Sequence, residues 1–344
     1  MTVERVGERF ILGFTGDRVP AWLAEFAARF SLGGVILFDY DARARRYGNN
    51  IRSRNQLIEL TAAIAALPSR PLVFVDQEGG KVRRLKESLG FAPLPSQKAL
   101  ASLPETDALH LLETALREIR DLGFSYDLAP VLDLDTNPLN PDIGALGRSY
   151  SADAVEVRRM VDLIDNAARR AGLGLCLKHY PGLGGATVNS HLALTDITGS
   201  FSDDQLELFH RLGERVSGEA VLMSHGIVRD WDPTFPVSMS EVAISRLRRQ
   251  LPAVLLISDD LQMRGLQEIL PSAEACVQGA RAGLDLILIG NNLLDEHEQC
   301  SGFASNLART VEVDPRLSQL HEESLARIAD RKVRFAAACE TPRG

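Results

Sequence analysis

Eight short apolar runs recur along the chain, and the segments between them carry helical periodicity. The runs are Phe10–Phe14, Gly34–Phe38, Leu72–Asp76, Tyr126–Leu132, Leu173–His179, Ala220–His225, Val254–Asp259 and Leu284–Ile289. Each is continuously apolar rather than alternating, as parallel strands buried on both faces must be. Between them, Leu57, Leu60, Ile64 and Leu67 share one helical face, and Val157, Val161, Ile164 and Ala168 share another. Gly172 is placed to end the second helix and Asp153 to cap its start. Ser202 followed by Gln205 has the spacing of a capping box. Eight β/α units predict an α/β fold, a single-domain TIM-type (β/α)8 barrel, with an open doubly wound sheet as the alternative reading of the same pattern.

A length of 344 residues suits one large barrel or two medium domains. No low-complexity linker divides the chain, and residues 316–343 read as a closing helix and short tail, so one domain over 1–344 is expected. Hydrophobic residues make up 45% of the sequence, enough for a full core, and the net charge is −8. That charge argues against a nucleic-acid partner, which needs a basic face. No run reaches the roughly 18 apolar residues of a membrane span, and the acid-bearing N-terminus is not a secretory signal. A cytoplasmic location is therefore expected. Cys176, Cys276, Cys300 and Cys339 form no C-x-x-C pair, so neither zinc nor a redox motif is indicated.

Polar residues cluster where the apolar runs end. Asp76 ends the third run, Asp133 follows the fourth, Lys178 and His179 end the fifth, His225 the sixth, and Ser258-Asp259-Asp260 the seventh. A lone Asp in such a place most often caps the next helix. Five strands agreeing point instead to a site on one rim, because a barrel brings these ends together. The segment from Lys178 to His191, Lys-His-Tyr-Pro-Gly-Leu-Gly-Gly-Ala-Thr-Val-Asn-Ser-His, adds a cation, two imidazoles and a glycine-rich loop. Its glycines lack the Lys-Ser/Thr ending of a phosphate-binding loop. His179, His191 and His225 lack helical metal-ligand spacing, so no metal and no cofactor is expected.

Four of these strings resemble motifs of glycoside hydrolase family 3. Lys178–His191 resembles the family's KHFPGHG…DSH signature, and Ile257-Ser258-Asp259-Asp260-Leu261-Gln262-Met263 its SDDLxM motif. Val75–Arg84 resembles VDQEGGRVxR. Gly147-Arg148-Ser149-Tyr150 resembles IGxRSF, although Ile143 and Arg148 stand two residues further apart than usual. Asp127–Asp133 also resembles the family's fourth strand, and the likeness runs from about Phe10 to Gly290. It implies a retaining glycosidase acting on a small carbohydrate, an amino-sugar glycoside or muropeptide-like compound. The chain leaves no room for the sandwich domain of larger members, which implies the single-domain β-N-acetylglucosaminidase (β-N-acetylhexosaminidase) branch and a role in cell-wall recycling.

Carried over residue by residue, the resemblance makes Asp259 the nucleophile. Chemistry alone does not choose between Asp259 and Asp260. It makes His191 the loop-borne acid/base, and Asp76, Arg148, Lys178 and His179 substrate contacts. Arg84 is a contact or a structural ion pair, and His225 a site residue or a satisfied core histidine. Two positions depart from the family. Leu183 replaces a His, and Asn189 replaces the Asp that supports the imidazolium of the acid/base. These departures leave three readings open: a glycosidase with a differently tuned acid/base, a relative with altered chemistry or substrate (a β-glucosidase or phosphorylase), or a catalytically weak sugar-binding relative.

Overall fold

The computed structural model describes residues 3–188, 193–213, 215–216 and 220–340. All eight expected strands are present: β1 Phe10–Leu12, β2 Gly34–Ile36, β3 Leu72–Val75, β4 Tyr126–Asp127, β5 Gly174–Tyr180, β6 Ala220–Met223, β7 Leu255–Ser258 and β8 Ile287–Ile289. Every pairing in this sheet is parallel and follows chain order from β1 to β7, with β8 returning to β1 through Phe10↔Ile287. A parallel bridge between Ile257 and Leu286 joins β7 to the segment entering β8, and Ser258 N–H donates to Leu286 O at 3.0 Å. The sheet therefore closes on itself, and the barrel expectation holds over the open sheet.

The strands read as continuous runs because each has two apolar neighbours. Ile11, Leu72, Phe74, Cys176, Leu222, Leu255, Ile257 and Leu288 fill the barrel interior. The alternate residues Leu12, Val73, Val75, Leu177, Val221, Leu256 and Ile289 pack outward in the core shared with the surrounding helices. The helices are α1 Ala21–Phe30, α2 Arg54–Ala65, α3 Gln97–Ala101, α4 Glu105–Asp121, α5 Ala154–Ala171, α6 Asp203–Leu212, α7 Glu241–Gln250, α8 Arg264–Gln267, α9 Ser272–Ala282, α10 Cys300–Val313 and α11 Pro315–Glu340. The last of these adds Ile328 and Phe335 to the interior cluster, where the Phe335 ring stands 4.9 Å from Tyr126. Gly174 is needed there, since a Cβ would meet both rings at 2.7 Å. No helix among the described residues is long and apolar enough to cross a membrane.

Local expectations fare unevenly. Asp153 accepts a hydrogen bond from Val155 N–H, and Gly172 ends α5 in the left-handed region at φ 70°. Ser202 caps α6, but the reciprocal half of its capping box is absent. The Gln205 side chain turns inward instead, accepting from Leu134 N–H at 2.8 Å and donating to Leu132 O at 3.0 Å. It supplies the partners that the tail of the fourth run lacks. That run was expected to be a strand to Leu132 but stays regular only to Asp127. Pro130 has no N–H to give, and the ladder resumes at a Val131–Lys178 bridge.

Candidate active site

The inward period of the strands decides which polar residues meet. Position 76 follows 72 and 74, position 178 follows 176, and position 259 follows 255 and 257. Asp76 and Asp259 thus extend the interior face just past their strand ends, and Lys178 lies on the same face near the end of β5. All three line a cavity of about 330 Å³ at the C-terminal mouth of the barrel. Glu78, Arg84, Arg148, His179 and Asp260 share that lining, with Phe38, Leu183, Leu222 and Leu288 as apolar wall. Of the expected site residues, Asp76, Arg84, Arg148, Lys178, His179 and Asp259 are therefore brought together.

His225 is not part of this lining. Its ring is buried, with Nδ1 2.6 Å from Ser238 Oγ and Nε2 3.0 Å from the main-chain oxygen of Asp260. A carbonyl only accepts, so Nε2 carries the proton and holds the turn after β7. Among the described residues this is the satisfied-histidine arrangement. His191 and Asn189 lie outside the described residues.

A hub of opposite charges organises the wall. Glu78 Oε2 accepts from Arg148 Nε, and Oε1 from the second guanidinium nitrogen, each at 2.7 Å. Lys178 Nζ stands 2.6 Å from Glu78 Oε1 and donates to Asp76 Oδ1 at 2.9 Å. Asp76 Oδ2 accepts from Arg84 at 3.2 Å. Burial works against every charge here, but the paired cations win. Glu78 is held down to about 2 by Arg148 and Lys178, and Asp76 well below the usual carboxylate range by Lys178 and Arg84. Lys178 is raised by Asp76 and Glu78, so it stays charged. Arg84 is at once an ion-pair partner and part of the cavity wall.

His179 is fixed from both sides. Its Nδ1 lies 2.7 Å from Asp133 Oδ2, and Arg148 reaches its Nε2 at 3.2 Å. A guanidinium only donates, so Nε2 accepts and Nδ1 carries the proton. Asp133 Oδ1 also accepts from Leu183 N–H at 2.8 Å, which ties the start of the glycine-rich loop to the strand beside it. Gly184 is required by the same close approach, because a Cβ would fall 1.7 Å from Leu134 O.

The two adjacent aspartates after β7 differ in surroundings. Asp260 Oδ1 accepts from Gln262 N–H and Gly290 N–H, each at 3.1 Å, which ties the turns after β7 and β8 together. Burial pushes its carboxyl up to about 7, and the neighbouring Asp259 charge adds to the rise. Asp259 Oδ1 accepts the Asp260 N–H at 2.9 Å. The carboxylate anchored to the turn after β8 is thus Asp260, through Gly290 N–H.

Glu78, Asp133 and Asp127 had no role in the sequence reading. The signal for Glu78 was its place two residues after Asp76, in the strand pair Gln77–Gly79 and Val82–Arg83. Asp133 was visible only as one more polar strand end.

A barrel with carboxylates and cations fixed at its C-terminal mouth can grip a polyhydroxylated ligand and present a carboxylate to it. The glycosyl hydrolase family 3 N-terminal domain matches residues 12–328, and the chain belongs to that family. A "Beta-hexosaminidase" of Pseudomonas aeruginosa strain PAO1 is 31% identical over 268 residues, covering 76% of each chain. A "Beta-hexosaminidase" of Neisseria meningitidis serogroup C is 34% identical over 281 residues, 77% of this chain and 74% of the relative. Among solved structures, a family 3 β-N-acetylglucosaminidase from Paenibacillus sp. superposes with a TM-score of 0.86 at 26% identity. It covers all of this chain, which spans 64% of that structure's length. NagZ from Neisseria gonorrhoeae, solved with N-trifluoroacetyl-D-glucosamine, gives 0.70 at 26% identity over 96% of this chain and 97% of its own.

Proposed function

We propose that this chain is a retaining β-N-acetylhexosaminidase that removes terminal β-linked N-acetylglucosamine through a covalent intermediate on Asp259. The observation that carries this reading is the gathering of Asp76, Arg84, Lys178, Arg148 and His179 around the cavity that Asp259 also lines. Asp76 and the cations beside it are suited to the sugar hydroxyls, since a carboxylate accepts two hydrogen bonds from a diol. Asp259 then attacks the anomeric carbon as the glycosidic C–O bond breaks, and His191 donates a proton to the departing oxygen. In the second half His191 takes a proton from water, whose oxygen attacks the same carbon and releases Asp259. Two inversions leave the β configuration.

The substrate is a small carbohydrate, an amino-sugar glycoside or a muropeptide-like compound. Cys176, Cys276 and Cys300 are free and buried, which fits a reducing cytoplasm. Asn189 favours a second reading, a phosphorylase or an enzyme for substrates with good leaving groups, because an amide cannot support an imidazolium by charge.

Turnover of aryl β-N-acetylglucosaminide and aryl β-glucoside, with and without phosphate, separates these readings. Hydrolysis of the first in preference to the second, indifferent to phosphate, is expected. Phosphate-dependent release would support the second reading. Asp259→Ala should abolish turnover with the fold intact; an inactive Asp260→Ala beside a fully active Asp259→Ala would reverse the assignment.

A further inference from the structure

We propose that Asp127 serves the sugar-binding wall as a neutral carboxylic acid, a positioning residue whose ionisation loosens that wall as pH rises. The proposal rests on the function proposed above and assigns a role to a residue outside the cavity.

Asp127 ends β4 with no exposed surface. Its Oδ1 accepts from Gln77 N–H at 2.8 Å, the residue that opens the strand carrying Glu78. Its Oδ2 is buried without a hydrogen-bond partner among the described residues. The groups that face it are Asp76 at the end of β3, Glu78 beyond it, Lys178 and Cys176 on β5, and Tyr150 before α5.

A count of charges decides its state. Asp76, Glu78 and Asp133 supply three negative charges to the wall, and Arg84, Arg148 and Lys178 supply three positive ones. His179 is neutral by its hydrogen bonds. With Asp259 lining the same cavity, no cation of the cluster is left over for Asp127. An ionised Asp127 would be a further anion, fully buried, with no cation of its own, competing with Asp76 and Glu78 for Lys178. The neutral acid avoids this while keeping the oxygen that Gln77 needs. The direction of its titration agrees, since burial, joined by the charges of Asp76 and Glu78, pushes the carboxyl up to about 7.

Folding favours the neutral form. The associated stability is therefore complete below the unfolded carboxyl value and is lost as pH rises through about 7. Asp127→Asn keeps the Oδ1 acceptor and cannot ionise. Two measurements across neutral pH test the proposal: thermal unfolding, and KM and kcat for aryl β-N-acetylglucosaminide. On raising the pH, the wild type should lose thermal stability relative to Asp127→Asn. Its KM should rise several-fold relative to the variant, with kcat moving less. Superimposable pH profiles of both quantities would overturn the proposal. So would a variant whose KM is raised by one constant factor at every pH, which would make Asp127 merely structural. The unfolding arm needs no substrate, so it decides the ionisation state even if the hexosaminidase reading fails.

Discussion

Replacing Glu78 by Gln tests the hub on which the sugar-binding wall depends. The two carboxylate oxygens serve three donors from two nearly buried cations, with Arg148 side chain 10% and Lys178 side chain 3% exposed. A carboxamide offers one oxygen and turns an NH2 group toward a guanidinium or ammonium that can only donate. Lys178 keeps Asp76 as a partner, and Arg148 keeps, among the described residues, Asp142 O at 2.9 Å and the ring of His179. Removing one member of a buried pair costs about 3–5 kcal/mol. Moving the Glu78 carboxyl from 4.5 to about 2 corresponds to roughly 3 kcal/mol, an independent route to the same size. For 344 residues, about 2.1 cal/mol/K per residue makes 3 kcal/mol a fall in Tm of about 4 °C. The sign with pH follows from the lowered carboxyl: this stability is present above about pH 4.5 and disappears as pH falls toward 2. The Tm difference between wild type and Glu78→Gln should therefore be full at pH 7 and shrink in acid. Calorimetry at several pH values reads it out. An equal Tm at pH 7, or a difference that does not shrink in acid, would refute the reasoning.

Three further outcomes are expected. Asn189→Asp should raise kcat/KM for natural-type glycosides more than for aryl glycosides with acidic phenols, because poor leaving groups depend most on proton donation; equal effects on the two would mean that His191 is not the donor. Gly184→Ala should destabilise by about 3 kcal/mol or more in urea unfolding, since its Cβ would strike Leu134 O, whereas Gly199→Ala, with φ 69° but open space around it, should cost only about 1–2 kcal/mol. Asp133→Asn should raise KM and leave the barrel folded, because an amide can present its NH2 to His179 Nδ1 and disturb the ring that Arg148 contacts.

Much of this architecture was legible because parallel strands buried on two sides write themselves as apolar runs, and polar residues on their inward period mark the mouth of the barrel. Asp76, Lys178 and Asp259 could be read in that way. The pairing of Glu78 with Arg148 could not, since it joins residues seventy positions apart through a rim that exists only once the barrel closes. Gln205 misled for a related reason. The local capping pattern is correct for Ser202, but the unmet backbone partners at Leu132 and Leu134 claim the amide instead. His225 looked like its neighbours on the rim because its ligands, Ser238 and Asp260 O, come from distant or main-chain positions that carry no sequence mark.

The segment from Leu183 to Gln205 has both ends fastened to the same short stretch of chain. Leu183 N–H holds Asp133, and Gln205 grips Leu132 and Leu134. The span between them, which includes His191, is therefore closed at its base whatever its interior does. For such a closed loop, doubling its length costs only about 0.6 kcal/mol of additional closure entropy. The length of its middle is thus nearly free to vary, while its attachment points are not. The loop is fastened again further in, where Asn137 donates to Ala186 O and residues 195–197 pair with Ile227 while Ile197 enters the core. Insertions between Val188 and Ala193 should therefore leave the barrel standing and alter only the loop's chemistry, which makes this the place where a barrel of this kind can change what it does without relearning how to fold.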